Sequence, residues 1–434
     1  MPRVLIVSPH FPPSNAPDHQ RVRTSLPYME AFGWNATIVA VHPKYTEALY
    51  DSILGRTVSK EVTVHRTSAL SAALTRWVGV GSLALRALPF LWLAGNRLLR
   101  RSEFDLVYFS TTMFPVIILG PIWKRRFGVP YVVDFQDPWL TDYYDQPGAP
   151  SPPGGRLKHG LHNWIARSFE PQVMRYVAQT IVVSPGYSQM LQQRYGWLKA
   201  DSLTVLPFGA PEKDFELLPS LNVRQRLFNK TDGLSHWVYV GRGGGDMAPA
   251  LRVLFGAIAA ERSCRPDAWT KICLHFAGTD YAPSGKGKRT VEPIAAEYGV
   301  ADLVSETPDR LPYFESLQAL VESDALLVIG SDSPAYSPSK LYPYVLAKRP
   351  MLAVLHAGSP GVTILRDCKA ADVVTFRPGL TEPLLEQQMS GALQRLTESD
   401  GLSPQTDWEE FSKYSARAMT QRQCAVFDRA VSIT

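Results

Sequence analysis

Short apolar runs recur along this chain, each ending in a polar loop and each separated from the next by helical spacing. In the first half they lie at 4–7, 36–41, 106–109, 131–134 and 180–183. In the second half they lie at 237–240, 272–276, 325–329, 351–355 and 373–376. A strand with one wet face alternates apolar and polar residues. A strand that is apolar throughout needs cover on both faces, as in a parallel sheet between helices. Two such series predict an α/β protein of two doubly wound, Rossmann-like domains. Pro207-Phe208-Gly209-Ala210-Pro211 breaks both periods and marks the boundary. The expected layout is a first domain over 1–206, a hinge over 207–222 and a second domain over 223–407. A final helical stretch, 408–434, has no strand after it. A length of 434 residues accommodates this plan.

Open parallel sheets bind ligands beyond the carboxyl ends of their strands. Two loops of the second series have that position and suitable chemistry. The first is Gly241-Arg242-Gly243-Gly244-Gly245-Asp246, after the run 237–240. Glycines admit a phosphate close to the backbone, and a guanidinium binds it through two donors. A flexible turn with Asp246 capping the next helix is the plainer reading. The second loop is Ser337-Pro338-Ser339-Lys340, after 325–329, with a helix and another strand following. It sets a cation at a helix start, where free N–H groups already attract anions. Together the two loops fit a diphosphate. Phe276-Ala277-Gly278-Thr279-Asp280-Tyr281 ends another strand. Ser305-Glu306-Thr307 is expected just after a short one, within reach of a base.

Pro338-Ser339-Lys340, an aromatic at Tyr342, and then Tyr344-x-x-Ala347-x-x-Pro350 resemble the donor-binding helix of retaining GT-B glycosyltransferases, the glycosyltransferase 4-like group. That group usually has Glu where this chain has Pro343, and an acid where it has Ala335. It also carries a Lys shortly after its Gly-Arg, which is absent here. The resemblance spans nearly the whole chain. It implies a GT-B fold, with two domains facing across a cleft and the last helix crossing back to the first. It implies donor contacts at Gly241, Arg242, Gly243, Gly244, Gly278, Thr279, Tyr336, Ser339 and Lys340. Arg242 and Lys340 would stabilise the leaving diphosphate, helped by glycine N–H groups and without a metal.

The first domain opens with a loop, Ser8-Pro9-His10-Phe11-Pro12-Pro13-Ser14-Asn15-Ala16, like one that usually carries Gly-Gly in the same group. Asn15 and Ala16 stand in its place, and Ala adopts unusual backbone angles poorly. Arg21 and Arg23 follow in the first helical turns and could reach an anionic acceptor. Tyr131-Val132-Val133-Asp134-Phe135-Gln136-Asp137-Pro138-Trp139 runs a strand into two carboxylates and a Trp. A branch of the group has Asp-x-Arg-Asp-x-Trp there, with Gln136 now replacing the Arg. Asp137 is the candidate to contact an acceptor hydroxyl as base or orienter, with Trp139 beside it. A loop cap and a packing Trp are the plainer alternative. Ser184 reads as a helix N-cap.

Residues 76–101 hold five arginines (76, 86, 97, 100, 101) and no acid, interleaved with leucines and Trp92. The longest uncharged run is too short to span a bilayer. A basic amphipathic stretch suits an anionic membrane surface, which would favour a lipid-linked acceptor. The plainer alternative is a packed helix with a solvated edge. Net charge is +5, too mild to imply nucleic acid. Four cysteines without CxxC spacing, and nine histidines without ligand spacing on one helix, give no expectation of a metal or other cofactor. The N-terminus lacks the pattern of a signal peptide, so a cytoplasmic or peripheral location is expected. The reading is transfer of a sugar from a nucleotide sugar to a glycan, lipid-linked or small-molecule hydroxyl. A GT-B epimerase or phosphorylase, or a non-catalytic nucleotide-sugar scaffold, would share these loops.

Overall fold

The computed structural model describes residues 1–76, 81–141, 155–280, 285–377, 382–399 and 404–432. Residues 148–154, part of a Gly- and Pro-rich patch over 148–155 that the sequence suggests is a surface loop, lie outside the described residues, as do Tyr281 and the side chain of Arg76. The chain divides into two compact units, Met1–Gly209 with Ala416–Thr434, and Ala210–Ser415.

Among the described residues, the first unit holds a parallel sheet of seven strands: β1 (Arg3–Val7), β2 (Asn35–Val41), β3 (Thr63–Thr67), β4 (Leu106–Ser110), β5 (Tyr131–Phe135), β6 (Gln179–Val182) and β7 (Leu203–Val205). Their spatial order is β3-β2-β1-β4-β5-β6-β7, winding outward both ways from β1 and β4. Alternate residues enter different cores. Leu5, Val7, Val107, Phe109 and Val133 pack on one face beneath helices Leu83–Arg101 and Leu119–Phe127. Val4, Ile6, Leu106, Tyr108 and Val132 pack on the other. The final helix, Ala416–Ser432, covers that second face with Met419, Val426 and Phe427. Phe427 meets Trp34 and Tyr108 edge-on, with centroids 5.3 and 4.9 Å away. Trp34 Nε1 donates to Asp428 Oδ1 at 2.9 Å.

The second unit holds six parallel strands: β8 (Ser235–Val240), β9 (Ile272–Ala277), β10 (Val304–Thr307), β11 (Ala325–Ile329), β12 (Met351–His356) and β13 (Asp372–Phe376). Their order is β10-β9-β8-β11-β12-β13. Trp237, Leu274, Phe276, Leu327 and Val354 fill one core face against helix Ala248–Cys264. Both sheets are thus doubly wound. Strands β3 and β7 escaped the sequence reading because they are half-exposed edge strands, one rich in polar residues and the other only three residues long; β10, also an edge strand, was expected to end before Ser305. Ser305, Glu306 and Thr307 do not follow a strand; they are most of β10.

Gly95 lies in helix Leu83–Arg101, where a Cβ would sit 2.2 Å from Cζ2 of the buried Trp123. Alanine gains about 1 kcal/mol of helix propensity over glycine. Overpacking a core costs roughly 1–3 kcal/mol, and so deep an overlap falls at the upper end. Gly95→Ala should therefore lower the thermal unfolding midpoint, and an unchanged or raised midpoint would show that Trp123 has room to move.

Candidate functional site

In the second unit, β8 pairs with β9 on one side and β11 on the other, so the winding reverses between β8 and β11. The loops leaving these two strands are 241–246 and 330–340. Tyr344 joins them. Its buried hydroxyl accepts from Val240 N–H at 2.7 Å and donates to Val240 C=O at 3.1 Å. Helix Leu341–Leu346 is thereby pinned to the end of β8. The Tyr of the motif is a bolt that carries Lys340 toward Arg242.

Arg242 is held on several sides. Its guanidinium forks onto Asp246 at 2.8 and 2.5 Å and lies over the Tyr336 ring, 5.4 Å from its centroid. Tyr239 Oη donates to the Arg242 carbonyl at 2.9 Å. Burial disfavours the Asp246 carboxylate, but the hydrogen bond and charge of Arg242 outweigh this and lower its pKa. Asp246 therefore orients Arg242 and does not cap the helix. Asp332 N–H donates to the Asp246 carbonyl at 2.8 Å, tying the two loops again.

Lys340 is pushed down to about 7 by lost hydration and then by the like charges of Arg310 and Arg242. Its side chain is exposed, so the neighbouring guanidiniums are the firmer cause. Three cations thus converge beyond the carboxyl ends of β8, β10 and β11. Arg310 was missed in the sequence because the short strand expected before Ser305 was ended too early, and β10 in fact runs on to Thr307, three residues before it. The helix after Lys340 spans only six residues, so the anion attraction here comes from side-chain charge and little from a helix dipole.

The glycine loop differs from the expectation. Gly241 N–H donates to Ala277 C=O at 2.9 Å, Gly243 N–H to Thr279 C=O at 2.7 Å and Gly278 N–H to Thr307 C=O at 2.8 Å. These donors bind neighbouring loops and do not point at a phosphate. Gly243 is glycine because a Cβ would fall 2.2 Å from Thr290 Oγ1. Gly244 needs its φ of 129°. Thr279 Oγ1 donates to the buried Glu306 at 2.5 Å, and Glu306 also accepts the N–H groups of Thr290, Val291 and Glu292. Glu306 is a structural anchor with no reach toward a base. Ser339 is exposed beside Lys340.

In the first unit, Ala16 is extended, at φ −121° and ψ 148°, so no glycine is required there. Asn15 pairs through Ser14–Asn15 with Leu49–Tyr50, and both Asn15 and Ala16 are buried. Arg21 does not reach outward. It is buried, ion-paired with Asp134 at 2.9 Å, and donates to Leu206 C=O at 2.8 Å and Pro207 C=O at 2.9 Å. Arg23 is buried too and bonds Gln20. Trp139 is core, stacked on Phe114 with centroids 5.9 Å apart. Asp137 alone of this set is exposed at the end of β5. The sequence reading passed over Asp18, which is buried and bonds His10 Nδ1 at 3.0 Å and Thr111 Oγ1 at 2.9 Å. Its burial favours the neutral acid, but the charge and hydrogen bond of His10 prevail and lower its pKa.

Among the five arginines of 76–101, Arg86 is buried and donates to Leu70 and Tyr45 carbonyls, so it faces no membrane. Arg97, Arg100 and Arg101 are exposed. With Arg126, Asn96, Trp92 and Leu93 they line one groove that holds no carboxylate. No helix among the described residues is long and apolar enough to cross a membrane.

The sequence pattern of the glycosyl transferase 4-like domain matches residues 19–209. No curated protein matches the chain. Among solved structures it is similar to an α,α-trehalose-phosphate synthase (UDP-forming) from Burkholderia vietnamiensis, at TM-score 0.63 and 13% identity, covering 100% of both chains. The corresponding Burkholderia xenovorans enzyme in complex with glucose-6-phosphate gives 0.62 and 10%, covering 98% of this chain and 99% of that one. An Escherichia coli trehalose-6-phosphate structure bound with UDP-2-fluoro glucose gives 0.54 and 12%, covering 99% and 98%. At these identities the likeness establishes the fold. The chain therefore has the GT-B fold of two Rossmann-like units, and residues 19–209 are similar to a glycosyl transferase 4-like domain.

Proposed function

We propose that this protein transfers a sugar from a nucleoside-diphosphate sugar to an acceptor hydroxyl. The placement of Arg242 and Lys340 at the strand-order reversal of the second sheet, with the charge of Arg310 from beyond the edge strand β10 also acting on Lys340, carries the reading. A sugar nucleotide presents two linked phosphates, and breaking its glycosidic bond leaves additional charge on them. Cations already fixed there favour the transition state over the bound donor. They supply the charge that a divalent metal supplies elsewhere, so transfer proceeds in the presence of chelator. Retention of anomeric configuration follows the resemblance. Asp137 orients the acceptor hydroxyl from the first unit.

The groove of Arg97, Arg100, Arg101 and Arg126, with exposed Trp92 and Leu93, extends the proposal to an acceptor presented at an anionic lipid surface.

Arg242→Ala or Lys340→Ala should lower kcat/KM by roughly 10²-fold or more, the usual loss for one preorganised charge donor. Release of nucleoside diphosphate measures it, across donors of different base; unchanged transfer in both variants would defeat the site assignment.

The free Lys340 is an ammonium below pH 7 and increasingly an amine above it. A bound diphosphate favours the ammonium, so binding above pH 7 takes up a proton. Affinity for an intact nucleotide sugar should fall as pH rises past 7, by up to about tenfold per unit. Calorimetry on Lys340→Arg should show a flat profile over the same range. The same slope in that variant would place the titrating group elsewhere.

For the lipid surface, the measurement is flotation with phosphatidylglycerol vesicles. Changing Arg97, Arg100 and Arg101 together to Gln should abolish co-flotation, which in the parent weakens with added salt. Undiminished binding by the triple variant rejects this role.

A further inference from the structure

The face of the second sheet opposite its main core carries a polar cluster that the donor site does not use. Parallel strands covered on both sides are ordinarily apolar, yet His236 on β8 and Cys273 and His275 on β9 share one face here. The register fixes this: His236 is level with Cys273, and Val238 with His275. The ligand atoms of the three residues lie within 4.8 Å of one another. His236 Nδ1 and His275 Nε2 are 3.0 Å apart. Both rings are buried, and Phe228 stacks over His236 with centroids 4.4 Å apart. Cys273 is a free thiol with partial exposure.

The outer nitrogen of His236 is also accounted for. Nε2 lies 3.2 Å from Asn229 C=O and 3.1 Å from Asp232 Oδ1. Two acceptors there fix the proton on Nε2 and turn the Nδ1 lone pair toward His275. Metal-bound imidazoles are typically oriented in this way, by a carboxylate or carbonyl on the far nitrogen. Two imidazoles on one tetrahedral zinc, at about 2.05 Å each, place their nitrogens about 3.3 Å apart. The observed separation needs only a few tenths of an ångström of adjustment.

We propose that His236 Nδ1, His275 Nε2 and Cys273 Sγ form a binding site for one thiophilic divalent cation of the zinc class. Two imidazoles and a thiolate select such an ion over magnesium or calcium, which want oxygen ligands. Water completes the tetrahedron through the open side of Cys273, while Asp232 stays on His236. Binding breaks the His236–His275 hydrogen bond, moves the His275 proton to Nδ1 and releases the Cys273 thiol proton to solvent. The site lies near the amino end of β8, five residues or roughly 16 Å of strand from Gly241. Its role is structural: it clamps the 228–232 turn to β8 and β9, apart from the proposed chemistry.

The test uses the full chain, stripped with chelator and titrated with Co²⁺ as a spectroscopic stand-in for Zn²⁺. The expected result is one equivalent bound, with tetrahedral ligand-field bands and a thiolate-to-cobalt charge-transfer band. Zn²⁺ should displace the cobalt and raise the thermal midpoint. Cys273→Ser should lose the charge-transfer band and at least tenfold in affinity. Asp232→Asn, a partly exposed change that leaves the core intact, should keep the band and weaken binding about tenfold. A parent protein with neither band nor Zn²⁺ stabilisation overturns the site. So does a charge-transfer band that survives in Cys273→Ser. Loss of nucleotide-sugar binding would bear on the donor site alone, and the cobalt readout is independent of it.

Discussion

Adjacent strands β8 and β11 run parallel with Val238 level with Leu326, while their crossovers leave toward opposite edges of the sheet. No connecting helix can then lie over both carboxyl ends, and a crevice opens between the two loops. The contacts that tie loop 241–246 to the segment after β11 depend on this pairing. Tyr344 can bond Val240 only because the helix after β11 starts beside the end of β8. Asp332 can meet Asp246 for the same reason. A one-residue slip would turn each strand's side chains to the opposite face and separate the loops.

Holding like charges together costs energy before any ligand arrives. At an effective dielectric of ~20 neighbouring like charges repel by up to about 4 kcal/mol, less where water reaches them. The protein offsets this unevenly. Arg242 has the Asp246 carboxylate and the Tyr336 ring. Lys340 answers by becoming easier to deprotonate. The strain is therefore concentrated in one proton, and the diphosphate of the proposed donor would relieve it. On the proposed reading Arg242 is preorganised, its charge in place before a leaving group needs it, whereas Lys340 completes its charge as the ligand binds.

The central strands were legible because each is buried on both faces, and an apolar run such as 325–329 admits few other readings. The edge strands were less so, since Thr63–Thr67 looks like a polar loop when only one side is covered and the polar Ser305-Glu306-Thr307 reads as the loop after a short strand when it is most of that strand. That failure spread to the site, because Arg310 gains its position from β10. Arg242 and Lys340 could be placed from strand ends and motif spacing alone. Tyr344 was visible as a motif letter, but its bond to Val240 depends on a partner 104 residues away. The histidine and cysteine cluster was hidden differently. Ligand spacing was sought on helices, whereas these residues sit at i and i+2 on β9 and across the register on β8.

Arg21 shows why residue type and position do not fix a role on the acceptor side. A guanidinium in the first helical turn could face a ligand or the interior, and here buried partners decide it. Ser110 and Tyr108 hydroxyls and Arg21 all converge on Asp134 Oδ2. Gln136 links Ser110 Oγ to the Asp18 carbonyl, and Asp18 in turn holds His10 and Thr111. Breaking one member of a buried ion pair typically costs about 3–5 kcal/mol, so these contacts are firm. The chain of bonds joins the ends of β1, β4, β5 and β7 into a single floor. Asp137 emerges one residue beyond it. If Asp137 has the acceptor-orienting role proposed for it, a carboxylate standing on so fixed a base would lose little entropy on meeting a hydroxyl, which is the property an orienting group needs.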